Sequence, residues 1–399
     1  MRVDAKGPLG ALVSQGIVAG SSLILQLVVL RELGVRGLGT FSLLFGILVM
    51  LNSIQTGWIG DSLTVLNRFE PPIRRALLRS QIGAVVAVAA VATPLAFLAT
   101  GRSTTTAILF GAACIAWIVE ETMRRLFIAR SEFWKLVAAD TMFVIGSFGL
   151  LGITALSSRS ISMDTLMLAL LSGAVLATLF SVVLLPRSEF DVGAPAIPDM
   201  ATLSSFAVWR AAQVGLRPAG MAIVRAVVIV VASEEALGEL EAARLLLAPV
   251  LTAVNGVGVY LLPTYSSQAS RGERLKPTVA SAITLLATGA FAWGAIALAL
   301  RAPLSELMSK DPATLSGAAL ISWTILAAAI GASVVATNAA VAQTRSKSAF
   351  VMRLVDTVVG TALAIMITAL GFLNAVPLGL ACGAVLGSLL LIRQKEFAN

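Results

Sequence analysis

Long apolar stretches follow one another along the chain, separated by short polar segments. A helix that crosses a bilayer needs about 20 mostly apolar residues. Windows of this kind lie near residues 9–30, 39–66, 80–100, 105–123, 134–156, 164–186, 206–232, 240–263, 277–300, 315–341, 349–371 and 374–392. The pattern therefore predicts an all-α polytopic membrane protein with about twelve transmembrane helices.

The composition agrees with a lipid-facing surface. Of the 399 residues, 58% are hydrophobic and 13% are charged, whereas about a quarter of the residues of a soluble globular chain are charged. No histidine occurs, which excludes histidine-dependent triads, histidine metal sites and histidine proton relays. The two cysteines, Cys114 and Cys382, lie inside apolar runs and are expected to be small buried hydrophobes rather than a disulfide or metal pair. We expect neither a metal nor a cofactor.

The distribution of positive charge predicts the orientation. The net charge of +8 would suggest nucleic acid in a soluble protein, but in a membrane protein Lys and Arg accumulate in cytosolic loops. With the N-terminus inside, eighteen basic residues face the cytosol and six face outwards. We therefore expect a multi-pass protein of the cytoplasmic (inner) membrane with both termini cytosolic and no nucleic-acid partner. The cytosolic set is Arg2, Lys6, Arg68, Arg74, Arg75, Arg79, Arg124, Arg125, Arg130, Lys135, Arg187, Arg271, Arg274, Lys276, Arg345, Lys347, Arg393 and Lys395, and the outer set is Arg31, Arg36, Arg102, Arg159, Arg301 and Lys310.

The longest polar connection divides the chain into two similar halves. The predicted domains are an N-terminal six-helix bundle (1–186), a cytosolic linker (187–205) and a C-terminal six-helix bundle (206–399). A shift of 199 residues aligns Gly16 with Gly215 and places Leu38-Gly39 over Leu237-Gly238. Because both halves start on the same side, we predict a parallel repeat related by a pseudo-two-fold axis along the membrane normal. Such halves commonly rock against each other around a midplane cavity.

Several segments resemble a known family. The first is a glycine-containing first span followed by LRELGVRGLGTFSLL and a second span that ends in GWIGD. The second is ALGELEAARLLLAPVLTAVNGVGVYLLPTYS (236–266), and the third is ETMRRLFIARSEF (121–133). Together they resemble polysaccharide flippases of the multidrug/oligosaccharidyl-lipid/polysaccharide exporter superfamily.

The resemblance implies two six-helix bundles around a central cavity, alternating access, and export of a lipid-linked anionic glycan rather than an enzymatic reaction. About twelve spans, rather than the fourteen usual for peptidoglycan-precursor flippases, favour the O-antigen, capsule or teichoic-acid type. Membrane lipids, and glycan polymerases or glycosyltransferases of the same pathway, are the further partners that it implies.

Three arginines in the seventh span are the strongest candidates for substrate binding. Arg210, Arg217 and Arg225 are spaced by seven and eight residues, which places them on one broad face of a helix. A charged residue at mid-depth costs about 2.5–3.5 kcal/mol on insertion scales and normally faces a cavity or a partner. Arg217 lies near mid-depth before Pro218, where a kink is expected. A guanidinium fork binds phosphate oxygens bidentately, as a polyprenyl-diphosphate head requires. The alternatives are snorkelling for Arg210 and an ion pair with another span for Arg225.

Three carboxylates near the inner ends of their spans are candidates for ion coupling or charge pairing: Asp61, Asp140 and Asp356. Asp61 and Asp140 are expected either to pair with the arginines or to bind a coupling cation. Asp356 follows Arg353 by three residues, the spacing of a local helix pair. Two other charged groups are expected to be locally neutralised: Arg244 with Glu239 and Glu241, and Glu120 and Glu121 with Arg124 and Arg125.

Other functions remain open at this stage. A drug or cation antiporter of the same fold would need mid-depth carboxylates. A membrane-embedded glycan polymerase, ligase or glycosyltransferase would need acid/base residues on a sizeable outer loop, and the candidates sit in short loops without a recognisable motif: Glu234, Glu235, Glu239, Glu306 and Asp311. A helper or scaffold role is the remaining alternative. We predict no catalytic residue.

Overall fold

The computed structural model describes residues 6–101, 103–157, 160–191, 195–271, 275–308, 315–343 and 345–392, and every long regular element in these ranges is an α-helix. In chain order they are α1 (Lys6–Gln55), α2 (Asp61–Val65), α3 (Pro71–Ala99), α4 (Thr104–Ala129), α5 (Phe133–Leu156), α6 (Met163–Leu184), α7 (Met200–Val231), α8 (Glu234–Ser270), α9 (Lys276–Ala299), α10 (Arg301–Met308), α11 (Gly317–Ala342), α12 (Ser346–Ala369) and α13 (Val376–Ile392).

The first two predicted spans form one continuous helical stretch. A π-helical turn, Thr56–Gly60, joins α1 to α2, so the apolar stretch Leu9–Val65 contains 57 residues. A straight helix of that length would measure about 85 Å, whereas the hydrocarbon core of a bilayer is about 30 Å thick. Gly34 interrupts it with φ 68° and ψ −170°, a conformation open to glycine but not to other residues. The stretch therefore holds two spans that meet at Gly34.

The predicted fold class is confirmed. Among the described residues, eleven helical stretches are long and apolar enough to cross a membrane, the first of which holds two of the predicted spans. Large apolar side chains lie on the outside, including Leu156, Val183 and Val230, which are 89%, 81% and 83% exposed. Such a surface is stable against lipid rather than water. The chain is thus a multi-pass membrane protein. The short helix α10, between two spans, was not predicted.

The chain divides into two compact units, each a helical bundle. Unit 1 comprises the described residues up to Leu25 and Leu43–Ala219, and unit 2 comprises Gln26–Ser42 and the described residues from Gly220 onwards. Both α1 and α7, the first helices of the predicted halves, pass from one unit to the other. The unit bounds differ from the predicted domain bounds in residues 26–42 and 206–219. The rotational repeat stays a prediction.

Unit 1 contains an ion-pair cluster outside the spans, which ties the linker after α6 to two loops. The Arg68 guanidinium donates to both oxygens of Glu189 at 3.2 and 3.0 Å, and Arg130 donates to the same carboxylate at 3.1 Å. The Glu189 side chain is only 2% exposed. Burial by itself raises the pKa of Glu189, but the bonds and charges of Arg68 and Arg130 outweigh it and hold the pKa below its usual value. The linker therefore has a fixed attachment to unit 1.

Two sequence predictions need comment. Cys114 and Cys382 are both free, and Cys114 is buried. Cys382 is exposed on α13, so its predicted burial is wrong; an apolar run in a lipid-facing helix does not specify which of its faces is covered. The predicted cytosolic termini fall on residues 1–5 and 393–399, which lie outside the described residues.

Candidate functional site

Three buried carboxylates surround Arg124 in unit 1. Arg124 Nη1 donates to Glu121 at 2.7 Å, and its Nε donates to Asp140 of α5 at 2.8 Å and lies 3.7 Å from Glu120. Ser14 of α1 donates to the other oxygen of Asp140 at 2.5 Å. The side chains of Glu120, Glu121 and Asp140 are 5%, 3% and 2% exposed. We call Glu120, Glu121, Arg124 and Asp140 the acidic cluster.

A second ion pair extends this cluster towards the inner end predicted for the spans. Arg125 Nε donates to Glu121 at 2.7 Å, and Arg125 Nη1 lies 3.7 Å from Asp61. Asp61 in turn accepts a 2.6 Å hydrogen bond from Arg210 of α7. Among these residues four carboxylates face three guanidiniums, so the network carries excess negative charge when every group is ionised. The predicted candidates Asp61, Asp140 and Arg210 therefore all belong to one network in unit 1.

The acidic cluster opens on a cavity of about 300 Å³. Phe45, Trp117 and Phe143 line one part of it and pack edge to face, with ring centroids 6.3 and 5.0 Å apart. Other apolar side chains from α1, α5 and α6 also line it, together with these polar side chains: Gln15, Ser21, Ser22, Asn52, Glu120, Glu121, Arg124, Asp140 and Ser147. Aromatic faces next to carboxylates attract a cation, so the cavity suits a positively charged occupant.

A charged cluster in unit 2 has the opposite balance of charge to the acidic cluster. Arg225 of α7 donates to Glu241 of α8 at 2.7 Å, and Arg244 donates to the other oxygen of the same carboxylate. Arg244 also donates to Gln26 of α1 at 2.5 Å. Two guanidiniums therefore share one carboxylate whose side chain is 2% exposed. We call Arg225, Arg244, Glu241 and Gln26 the arginine cluster.

Arg217 and Arg225, predicted to share a substrate site, belong to different units. Arg217 is partly buried in unit 1 and Arg225 in unit 2. Pro218 lies inside the continuous helix α7, and the units divide one residue further on, between Ala219 and Gly220. A proline removes one helical hydrogen bond, so α7 is weakened where it leaves unit 1.

Asp356 and Arg353 form the local pair expected from their spacing. Their closest side-chain atoms are 3.7 Å apart. Ser333 of α11 also donates to Asp356 at 3.4 Å, and the Asp356 residue is 6% exposed. The pair lies in unit 2 and joins neither of the two clusters. Its role in ion coupling stays a prediction.

Some of these contacts were not predicted from the sequence. Glu120–Arg124 and Glu121–Arg125 were expected to form helix-local pairs, and both pairs are present. The contact of Arg124 with Asp140 was not foreseen, because the i,i+4 spacing already explained each charge. Glu241 was assigned to a neutralised rim with Arg244, whereas it also binds Arg225. The sequence did show a carboxylate inside an apolar window, and such a charge normally has a partner on another helix or faces a cavity.

Comparison with solved structures identifies the fold. The chain is similar to the inward-facing conformation of a multidrug resistance MATE family transporter of the MOP superfamily, with a TM-score of 0.74 and 12% identity over 96% of this chain and 92% of that one. The outward-facing conformation gives 0.64 and 13%, over 96% and 92%. A MOP superfamily transporter from Pyrococcus furiosus Vc1, described as having a binding pocket of reversed polarity that suggests a different function, gives 0.65 and 12%, over 98% and 96%.

At these identities the likeness establishes the fold alone. No family model matches the chain, and no curated protein matches it by sequence. The chain thus has the fold of MOP superfamily transporters.

Proposed function

We propose that the chain is an alternating-access transporter that flips a polyprenyl-diphosphate-linked glycan across the cytoplasmic membrane. The observation that carries this proposal is the arginine cluster, in which Arg225 and Arg244 share the single carboxylate of Glu241 inside membrane-spanning helices. Excess positive charge at such a place is costly unless an anion compensates it. A diphosphate supplies that anion, and its oxygens match the donor fork of a guanidinium.

In this proposal Arg217 and Arg225 contact the diphosphate while the polyprenyl tail stays in lipid. Arg210 is a third contact, but it donates to Asp61 and must exchange that carboxylate for the phosphate. The glycan head then crosses the membrane without contact with hydrocarbon. Glycan polymerases or glycosyltransferases of the same pathway would supply or consume the lipid-linked glycan.

The acidic cluster is proposed to couple transport to a cation gradient. Asp140 is held by Arg124 and by Ser14 of another helix, so a change in its charge alters contacts among α1, α4 and α5. The excess of carboxylates over guanidiniums in this network suits uptake of a proton or a small cation. Asp61 belongs to the same network through Arg125 and Arg210.

A second candidate function is export of an organic cation in exchange for a coupling cation. The cavity of unit 1 favours it, because Phe45, Trp117 and Phe143 lie beside the carboxylates of the acidic cluster. That cavity would then be the substrate site, and the arginine cluster would have a purely structural role.

Reconstituted liposomes separate the two functions. One preparation carries a fluorescent polyprenyl-diphosphate-linked oligosaccharide, and the other is loaded with a fluorescent organic cation. We expect the lipid-linked oligosaccharide to change leaflet without covalent change, and the organic cation to be moved no faster than by liposomes without protein. Cation transport without lipid flipping would replace the first proposal with the second. Elongation or cleavage of the glycan would make the chain an enzyme.

A further inference from the structure

Two glycines in unit 2 bring separate backbone segments into direct contact. A Cβ atom on Gly39 would lie 1.9 Å from the carbonyl oxygen of Glu234, and a Cβ atom on Gly238 would lie 1.9 Å from the carbonyl oxygen of Val35. Real Cβ atoms do not approach backbone this closely, and backbone carbonyls cannot rotate away as a flexible side chain can. The contact between residues 35–39 and residues 234–238 therefore requires glycine at both positions. We call it the corner contact.

The corner contact is reciprocal. In the alignment with an offset of 199 residues, Val35 corresponds to Glu234 and Gly39 corresponds to Gly238. Gly39 thus contacts Glu234, while its equivalent Gly238 contacts Val35, the equivalent of Glu234. Equivalent segments that exchange the same contacts are typical of an isologous contact about a two-fold axis. The two segments are equivalent pieces of the predicted repeat, and they touch where its axis would pass.

Both segments lie where a helix breaks or begins. Gly34, with its positive φ, breaks α1 immediately before the first segment. The second segment is the first turn of α8, where the Ser233 hydroxyl accepts a hydrogen bond from the Ala236 amide at 3.1 Å. Both segments therefore lie at turns between spans, at one end of the helices rather than at mid-depth.

An ion pair accompanies the corner contact but does not account for its closeness. Arg36 lies 2.7 Å from Glu234 and 3.4 Å from Glu235. The Arg36 side chain, which both pairs share, is 72% exposed, and its partners Glu234 and Glu235 are 24% and 53% exposed. An ion pair in which one partner is so exposed contributes little. The fit of the two backbones, with Leu38 and Leu237 buried beside it, decides whether the segments stay together.

We propose that the corner contact is a gate at one end of the transport path, closed in this structure by Gly39 and Gly238. The proposal rests on the alternating-access function proposed above. Both segments belong to unit 2, so opening separates residues 26–42 of α1 from the rest of that unit. Opening at this end parts the two segments, and closing brings each glycine against the backbone of the other segment. Small residues at both positions let the gate close without a gap for water.

Distance measurement between spin labels tests the gate without reference to any substrate. Labels are placed by Arg36→Cys and Glu235→Cys in the full-length Cys382→Ala protein, reconstituted in lipid, with buried Cys114 retained. We expect a short and a long population of label distances. A single short population under all conditions, including an imposed proton or sodium gradient and added lipid-linked oligosaccharide, would show that the segments never part.

Alanine substitutions supply the matched comparison. Added to the labelled protein, Gly39→Ala or Gly238→Ala should remove most of the short population. Gly20→Ala is the control, because it adds the same methyl group to α1 where no atom lies within 4 Å. Equal distance distributions for Gly238→Ala and Gly20→Ala would overturn the proposal.

The gate and the proposed function fail in different ways. Two distance populations in a protein that flips no lipid-linked oligosaccharide support the gate and refute the proposed substrate. Normal flipping with one unchanging short distance refutes the gate alone. If Gly39→Ala or Gly238→Ala fails to fold, the label distances in the protein with both glycines still decide whether the segments separate.

Discussion

Arg225 of α7 and Glu241 of α8 form a hydrogen-bonded ion pair of 2.7 Å between two membrane-spanning helices. Arg244 holds the second oxygen of the same carboxylate, so a single buried acid is shared by two bases and leaves an excess of positive charge. This arrangement fastens α8 to α7, and in the proposed function its excess positive charge binds an anion. Stability and function can therefore be tested separately. Substitution of Glu241 tests stability, and substitution of Arg225 tests transport.

Removal of the shared carboxylate should destabilise the fold. Glu241→Gln leaves two guanidiniums, 12% and 17% exposed, without their counter-ion, and breaking a buried pair costs about 3–5 kcal/mol. We expect a clearly lower thermal unfolding midpoint in detergent. The control is Glu239→Gln, an exposed position two residues earlier on α8. Equal midpoints for the two variants would contradict the structural role of Glu241.

Substitution of Asp140 should uncouple transport from its driving gradient. Asp140→Asn removes one of the charges that hold Arg124 and should abolish the response of the transport rate to a proton or sodium gradient. Ser14→Ala removes one hydrogen bond to Asp140 but no charge, and should keep the gradient response. The comparison is made in reconstituted liposomes at matched protein density. A gradient response of the same size in Asp140→Asn would exclude the acidic cluster as the coupling site.

The linker cluster predicts an acid-sensitive contribution to stability. Because the pKa of Glu189 is lowered in the folded protein, its stabilising effect is complete above the ordinary glutamate pKa of about 4.3 and is lost as pH falls through the lower folded value. Glu189→Gln should lower stability at neutral pH by about 1–3 kcal/mol. This difference should shrink below about pH 4. Thermal unfolding across pH measures it, with exposed Glu70→Gln as the control; a pH-independent difference would contradict this account.

The orientation predicted from the basic residues can be tested by accessibility of single cysteines. Ser157, after α5, and Ser188, in the linker, are both exposed and should lie on opposite sides of the membrane. A membrane-impermeant thiol reagent applied to intact cells should label Ser157→Cys and leave Ser188→Cys unlabelled in the Cys382→Ala protein. Labelling of both from outside would refute the twelve-span topology.

The sequence predicted the helices well because the bilayer imposes the same requirement on each of them. Every span must supply about 20 apolar residues, and α5 (Phe133–Leu156) starts within a residue of its predicted window and ends with it. The break at Gly34 falls between the predicted windows 9–30 and 39–66, although the polar residues on both sides of it are helical rather than in an open loop.

Partners between helices were harder to predict than the helices themselves. Arg225 was assigned an unnamed carboxylate on another span as one alternative, but an apolar pattern does not state which helices are neighbours. Glu241 lies sixteen residues later, across the turn between α7 and α8. Asp140 was a candidate because it is a charge in a span, whereas its contacts with Arg124 and Ser14 depend on the packing of three helices. Conversely, the offset of 199 residues placed Gly39 over Gly238, and these glycines take part in the same contact.

The proposed function requires arginines of α7 to hold an anionic lipid-linked glycan during transport. Leaflet exchange of a fluorescent polyprenyl-diphosphate-linked oligosaccharide, measured in liposomes that contain Arg217→Ala, Arg217→Lys or the unaltered protein, tests it most directly. We predict that Arg217→Ala abolishes flipping and that Arg217→Lys keeps part of it, because lysine preserves the charge and loses only the fork. Arg225→Ala should also abolish flipping. Flipping at the unaltered rate by folded Arg217→Ala and Arg225→Ala, at equal protein density, would contradict the claim and leave both arginines as structural residues.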